Sequence, residues 1–171
     1  LDLSQFEKEL AVLWDIYISA WSSNWGFVPM TRKEFEFSAR EMKSFVQPEF
    51  CLIAEVKGEP AGFSLVLPDV NQVLKELDGR LFPFGWARFL WQKNKIDAYR
   101  VPMLGVKKKF RRLGIDAWFY YEIYKMFLEK KIEWCELSWL LEDNKSIIDP
   151  MHRIGGTLYK RHRIYERSFA S

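Results

Sequence analysis

The residues best suited to chemistry lie in one short segment, Val106–Asp116, where five cationic side chains precede a glycine. A strand-like run comes before the segment and an amphipathic helical pattern follows it, so it should lead from a strand into the first turn of a helix. Free N–H groups of that turn attract anions, and a glycine without Cβ lets a phosphate approach the main chain. Arg111 and Arg112 add charge-assisted donors. The segment therefore predicts a phosphate-binding site.

The composition limits the class of protein. The chain has 171 residues, 49% of them hydrophobic, and a net charge of only +3. This length predicts a single domain over residues 1–171. Charged residues interrupt every apolar stretch before the roughly 20 residues that a membrane span requires, so we expect a cytoplasmic protein without a membrane partner. A second basic cluster, Lys160–Arg163, leaves nucleic-acid binding as a third-ranked function, but the mild net charge argues against it.

The cysteines and histidines do not suggest a metal site. Cys51 and Cys135 each lie inside an apolar run, where a cysteine acts as a small buried hydrophobe. His152 and His162 are ten positions apart without a nearby ligand partner. We expect no metal and no disulfide.

The elements that must position the basic segment follow from spacing. Ser4 with Glu7, and Thr31 with Glu34, have the spacing of capping boxes and should begin two helices, the second ending near Phe45. Two β-rich runs around Gly58–Glu59 predict an antiparallel hairpin. The remaining predicted elements are helices at Asp69–Leu77, Phe84–Lys93 and from Ile115 through Phe127, strands at Phe50–Lys57, Pro60–Leu67, Ile96–Val106, Trp134–Leu141 and Thr157–Arg167, and a short helix at Asn144–Ile154 that Pro150 kinks or restarts. This order predicts an α+β domain with a mixed sheet flanked by helices.

The run Arg111–Asp116 resembles the pyrophosphate loop of the GNAT acyltransferase superfamily, which reads Arg or Gln, two residues, Gly, one residue, then Gly or Ala. Asp116 stands where the family has its last small residue, and a carboxylate there disfavours a diphosphate unless it points away or caps the helix. The resemblance implies the GNAT fold, with acetyl-CoA or another acyl-CoA as co-substrate. The residues that it assigns to CoA are Leu104, Gly105, Val106, Arg111, Arg112, Leu113, Gly114, Ile115, Asp116 and Asn144.

Longer stretches are similar to the carboxy-terminal half of a bacterial group of longer GNAT proteins. These stretches are Ala20–Thr31, Pro83–Trp86, Leu141–Asn144 and Tyr159–Tyr165. The similarity implies an amino-terminal domain as a partner outside this chain, and we expect residues of that domain to complete the acceptor site. The isolated chain should then bind CoA without turning over.

The resemblance implies an N-acyltransferase in which an amine attacks the acyl thioester. A backbone N–H near Leu104–Val106 would polarise the thioester carbonyl. The family's tyrosine acid is replaced by Met151, which leaves His152 or Tyr159 as candidates, and Glu136 is a candidate base. Glu136 has an alternative role as a carboxylate neutralised within the sheet, and Asn144 has one as a helix cap. A domain that binds acyl-CoA or packs on a partner without turnover is the alternative function.

The aromatic residues have two interpretations. Trp86, Phe89 and Trp91 have helical spacing that is typical of a core face, or alternatively they form an apolar acyl or acceptor pocket. Trp21, Asn24 and Trp25 fall in the loop that usually walls the acceptor site in the superfamily. Together with Trp86, these three are the candidate contacts to a small-molecule amine.

Overall fold

The computed structural model describes residues 1–43, 46–77, 82, 84–92, 96–137 and 139–167. Within the predicted domain, the chain forms two compact units, Leu1–Ser138 and Trp139–Ser171. The first unit contains the sheet and the basic segment. Among the described residues, no helix combines the length and the apolar character needed to cross a bilayer.

The first unit is built on a four-stranded mixed sheet in the order β1-β2-β3-β4. Its strands are β1, Cys51–Val56, β2, Glu59–Pro68, β3, Ala98–Val106, and β4, Trp134–Leu137. The first three strands are antiparallel, and β4 runs parallel to β3. The predicted hairpin is confirmed with its turn one residue earlier, at Lys57 and Gly58, because both have positive φ and Glu59 already pairs with Val56.

Helices α1, Phe6–Trp21, and α2, Arg32–Met42, precede the sheet. The capping box of α2 is present, since the Thr31 side chain accepts from the Glu34 N–H and the Glu34 carboxylate accepts from the Thr31 N–H. The capping box predicted at Ser4 is wrong. The Asp2 carboxylate accepts from the Ser4 N–H at 2.9 Å and begins a short 3-10 turn, so α1 starts at Phe6 without a side-chain cap.

Four further helices lie close to their predicted positions. They are α3, Asn71–Glu76, α4, Gly85–Gln92, α5, Ile115–Lys130, and α6, Lys145–Arg153. α6 belongs to the second unit, continues through Pro150 instead of restarting there, and is followed by Gly155 with φ 87°. A left-handed residue at this position ends a helix at little cost only when it is glycine.

One predicted strand boundary and one predicted strand are wrong. The strand predicted to reach Leu141 ends at Leu137, and Trp139 has a φ of 40°, which is incompatible with an extended strand. Residues 157–167 form no strand in the described part of the chain and are exposed, and Arg163 pairs with Glu142 at 2.5 Å. A β-rich composition produces a strand only where a partner edge is available.

Each face of the sheet is covered by different helices. The α1 and α2 side chains pack on one face with residues of β1 and β2, and α5 packs on the other face with residues of all four strands. The buried members of the first cluster are Leu10, Leu13, Ile16, Tyr17, Phe35, Cys51, Phe63 and Leu65. The fully buried Phe119 anchors the first half of α5 on the opposite face. The end of β3 and the start of α5 are therefore fixed from both sides.

Thr31→Ala should lower the free energy of unfolding by about 1 kcal/mol, because the helix loses the side-chain acceptor at its amino end. Urea unfolding followed by circular dichroism measures the change. Thr157→Ala, in the exposed segment of the second unit, is the control and should leave the stability unchanged. Equal effects of the two substitutions would contradict the role given to Thr31.

Candidate functional site

Strand β3 has two different edges. β2 pairs with β3 as far as Val106, but β4 pairs with β3 only from Ala98 to Val101. From residue 102 to 106, the edge of β3 that faces away from β2 has no strand partner among the described residues. Apart from the Val106 carbonyl, which accepts from the Arg111 Nε at 3.4 Å, its backbone groups are therefore available to a ligand.

Pro102 explains why the strands separate there. Between Leu65 and Leu67 the partner in β3 moves by three residues, from Met103 to Arg100, while β2 advances by two, so β3 carries a bulge around Val101 and Pro102. A bulge bends its strand, and proline has no N–H to offer a neighbouring strand. The proline is a signal of this break that is already visible in the sequence, although the residue pattern of Ile96–Val106 predicts one uninterrupted strand.

Two of the five cations that follow β3 form structural ion pairs. Lys107 is buried, donates its N–H to the Ala61 carbonyl at 2.8 Å, and pairs through Nζ with the Asp15 carboxylate of α1 at 2.5 Å. Lys109 pairs with Glu59, and its ammonium also lies 4.9 Å from the centre of the Phe110 ring. These two lysines hold the segment against the sheet instead of facing a ligand.

Arg111 also has a structural role. Its guanidinium donates to the Ala20 carbonyl at 2.9 Å and to the Val106 carbonyl at 3.4 Å. Ala20 lies in the last turn of α1, where carbonyls have no helical partner and a cation is favourable. Arg112 and Lys108, by contrast, are exposed and form no ion pair with the described residues. They are the two cations of the segment that remain available to an anion.

The start of α5 provides backbone donors. Gly114 has a φ of 77°, occupies the N-cap position without a side-chain cap, and has open space where a Cβ would stand. The first helical N–H with a backbone acceptor is that of Trp118, which donates to the Gly114 carbonyl at 3.0 Å. The N–H groups of Ile115, Asp116 and Ala117 thus have no protein acceptor within the described part of the chain. This arrangement is typical of an anion site at a helix amino terminus.

Asp116 is the acidic residue in the first turn of α5, two positions after Gly114, and so brings a negative charge to the same end of the helix. Burial, and to a lesser extent the Asp116 charge one turn earlier, raises the pKa of Tyr120 to about 12. Leu113, between the two left-handed residues Arg112 and Gly114, is exposed.

Gly105 permits a close approach between β3 and α1. A Cβ on Gly105 would stand 2.3 Å and 2.4 Å from two ring atoms of Trp21 and 3.0 Å from the Ala20 Cβ. The Trp21 ring also packs on Phe63, with 5.8 Å between ring centroids. Trp21 therefore covers one face of β3 next to Arg111. The residues on either side of Gly105, Leu104 and Val106, are partly buried on the other face, where they pack against the cluster that contains Ile115 and Phe119 of α5.

Of the other predicted acceptor contacts, Asn24 and Trp25 follow Trp21 in the chain, whereas Trp86 lies in α4. Asn24 is half-buried and donates its N–H to the Trp21 carbonyl at 2.9 Å, while Trp25 is 73% exposed. Trp86 is half-exposed, and α4 has no buried residue at all. The core interpretation of Trp86, Phe89 and Trp91 is therefore wrong, because the helix lies on the surface and packs through its polar side.

Glu136 is paired within the sheet. It stands opposite Arg100 in the parallel register of β3 and β4, and the Arg100 Nη2 lies 2.8 Å from the Glu136 Oε1. Both side chains are largely shielded from solvent, so this pair supports the structural alternative for Glu136. On the opposite face of the same strands, burial raises the pKa of the Cys135 thiol to about 12. Burial likewise raises the pKa of Cys51, to about 11.

The remaining candidates belong to the second unit. Asn144 occupies the N-cap position of α6, where its Oδ1 accepts from the Ser146 hydroxyl at 2.6 Å. Met151 is buried in α6, His152 is exposed in the last turn, and Tyr159 is exposed in the segment that follows. Among the described residues, no three His, Cys, Asp or Glu side chains cluster in a way that could hold a metal ion.

Comparison with known proteins identifies the fold. No family model matches the chain. It is 37% identical over 174 residues to a protein named bacterial ceramide synthase from Caulobacter vibrioides, and 37% identical over 173 residues to the protein YghO from Escherichia coli. Each match covers 98% of this chain but only 45% and 44% of the relative, so the chain spans less than half the length of either.

A solved structure matches almost the whole chain. The aminoglycoside N-acetyltransferase AAC(6')-Iy, in complex with a CoA-containing bisubstrate analogue, superimposes with a TM-score of 0.61 at 12% identity and covers 95% of this chain and 94% of its own. With the mixed sheet flanked by helices, this shows that the chain has the GNAT acyltransferase fold, as the sequence predicted.

Gly105→Ala should destabilise the protein by about 2 kcal/mol, because the new methyl group would overlap the Trp21 ring and an overpacked core is strained. Urea unfolding measures the loss. In a Trp21→Leu background the same substitution should cost much less, since the ring atoms are gone. An equal cost in both backgrounds would show that the contact with Trp21 is not the cause.

Proposed function

We propose that this chain, which has the GNAT acyltransferase fold, binds acyl-CoA at the open edge of β3 and transfers the acyl group to an amine. The observation that carries the proposal is the continuity of the site. Among the described residues, a strand edge without a strand partner, residues 102–106, leads through the basic segment into a helix start with free N–H groups. An extended ligand with amides at one end and phosphates at the other fits this series of donors.

The diphosphate would bind at the start of α5. The N–H groups of Ile115 and its successors point along the positive end of the helix dipole, and Arg112 and Lys108 add charge. Gly114 keeps the approach open because no Cβ stands in the way. Arg111 contributes indirectly by fixing the loop to Ala20.

The pantetheine arm would pair with the open edge of β3. Its two amides can exchange hydrogen bonds with the backbone of Leu104–Val106 as an added strand would. Because this edge lies between β2 and the diverging β4, the thioester would lie where the strands separate. A backbone N–H of this edge would then donate to the thioester oxygen and stabilise the negative charge that develops there.

The transfer needs one deprotonation and one protonation. The neutral amine nitrogen attacks the thioester carbon, the C–N bond forms, and the C–S bond breaks to release the CoA thiolate. A base takes one proton from the nitrogen, which becomes positively charged as the C–N bond forms, and an acid gives a proton to the thiolate. Glu136 remains the proposed base, although its pairing with Arg100 favours a structural role, and His152 and Tyr159 remain the proposed acids.

The named relative suggests which acyl groups to test. A ceramide is the amide of a long-chain amino alcohol and a fatty acid, so the name of the Caulobacter relative describes formation of an N-acyl bond. We therefore extend the co-substrate from acetyl-CoA to fatty acyl-CoA and the acceptor to long-chain amines. The exposed aromatic residues Trp25 and Trp86 are the proposed apolar contacts.

A catalytically silent acyl-CoA-binding module is the second candidate. Two observations favour it: Asp116 brings a negative charge to the diphosphate site, and the Glu136 carboxylate is already neutralised by Arg100. Binding and turnover must therefore be measured separately.

The two arginines should respond differently to replacement. Arg112→Ala should weaken CoA binding roughly tenfold with little change in stability, because it removes a free cation. Arg111→Ala should lower the free energy of unfolding by about 1–2 kcal/mol, because two backbone carbonyls lose their donor. Calorimetry with CoA and with pantetheine, which has no phosphate, separates these effects. A similar loss for both ligands in Arg112→Ala would contradict a phosphate contact.

Turnover is tested by release of free thiol from acetyl-CoA and palmitoyl-CoA in the presence of short and long-chain amines. For a longer protein in which an amino-terminal domain precedes this chain, we expect thiol release that depends on the amine, and we expect Gly114→Glu to abolish both CoA binding and release. The chain alone should bind CoA without release, as the sequence predicts. Gly114→Ala has the same backbone strain without the charge, and should retain most of the binding. CoA binding by the longer protein without any amine-dependent release would support the silent module instead.

A further inference from the structure

Helix α4 is oriented with its polar side toward the protein. Arg88 and Gln92, one turn apart, both donate to the same Glu76 oxygen of α3, at 3.2 Å and 2.5 Å. Phe89, at the border of this side, is half-buried. These contacts fix which face of the helix points inward.

The opposite face of α4 is apolar and open to solvent. At 100° per residue, Trp86, Ala87 and Leu90 lie away from the α3 contacts, and Trp91 lies at the border of this face. Trp86 is 53% exposed, Leu90 50% and Trp91 68%, and Phe82 and Phe84 just before the helix are also exposed. Isolated exposed hydrophobic residues are ordinary, but five within the ten residues 82–91 indicate an interaction surface.

The charge of the same segment indicates what covers this face. Besides Arg88, which pairs with Glu76, residues 80–95 contain three cations, Arg80, Lys93 and Lys95, and no carboxylate. Tryptophan, phenylalanine and leucine combined with an excess of Arg and Lys are typical of helices that lie in the headgroup layer of an anionic membrane. The indole rings occupy the boundary between headgroups and acyl chains, where an apolar ring with one polar N–H is favoured.

We propose that α4 and the preceding Phe82 and Phe84 form a membrane-docking face, which lies flat on an anionic lipid surface. The helix has eight residues, about 12 Å in length, and so it can lie in the interface but cannot cross a core of about 30 Å. This proposal departs from the sequence-based expectation of no membrane partner, which considered spanning segments only. It does not require acyl transfer, since it depends only on α3 and α4.

The test is co-sedimentation of the full chain with vesicles in the absence of CoA. We expect binding to phosphatidylglycerol-containing vesicles, at least tenfold weaker binding to pure phosphatidylcholine, and weakening at high salt. Trp86→Ala/Leu90→Ala/Trp91→Ala should reduce binding to the anionic vesicles by about tenfold or more. The matched control is Tyr121→Ala/Tyr124→Ala/Leu128→Ala on α5, which removes three side chains of 62%, 61% and 62% exposure and should leave vesicle binding unchanged.

Three results would overturn the proposal. The first is that the unaltered chain does not bind anionic vesicles, and the second is that the α5 control variant loses as much vesicle binding as the α4 variant. The third is that the unaltered chain binds no vesicles but self-associates in light scattering, and becomes monomeric when the α4 residues are replaced. Thermal unfolding verifies that each variant is folded. If the triple variant is not folded, Leu90→Glu alone should still reduce vesicle binding, because it places one negative charge at the centre of the face.

Discussion

The separation of β3 from β4 at Pro102 is the constraint on which the candidate site depends. Up to Val101, β3 is a central strand with partners on both sides, and beyond it β3 has β2 on one side only among the described residues. Backbone groups rarely remain unpaired in a folded protein, so an open edge next to the core is a place where a ligand can complete the sheet. The bulge and the proline act together there, since one bends the strand and the other removes a donor.

Of the five cations after β3, three form contacts within the protein and two are exposed without an ion pair among the described residues. Lys107 and Arg111 connect the loop to α1, through Asp15 and the Ala20 carbonyl, and Lys109 connects it to the hairpin at Glu59. Such contacts hold the free N–H groups of α5 in a fixed position without presenting charge to a ligand. Arg112 and Lys108 present that charge. A binding site for a diphosphate needs both kinds of residue, because charged side chains on a mobile loop attract the ligand but do not hold it in one position.

In α4 most hydrophobic residues of the sequence pattern are exposed instead of buried. Hydrophobic residues at helical spacing usually face the core, and this expectation was correct for α1 and α5. In α4 the Glu76 carboxylate bonds Arg88 and Gln92 on the inner side, which leaves the tryptophans outside. A surface of this kind on a proposed acyltransferase is suited to substrates that are themselves amphiphilic.

The sequence by itself determined most of the element order, the mixed sheet and the hairpin, and it predicted an anion-binding segment around Gly114, because spacing, capping and glycine positions are local properties. It could not distinguish Arg111 from Arg112, or identify the role of Lys107, because adjacent cations look alike until their partners in α1 are known. It also favoured a core position for Trp86 and a strand at Thr157–Arg167. Both predictions were wrong, because burial and strand formation depend on a neighbouring surface. Only the tertiary structure decides which residues have that neighbour.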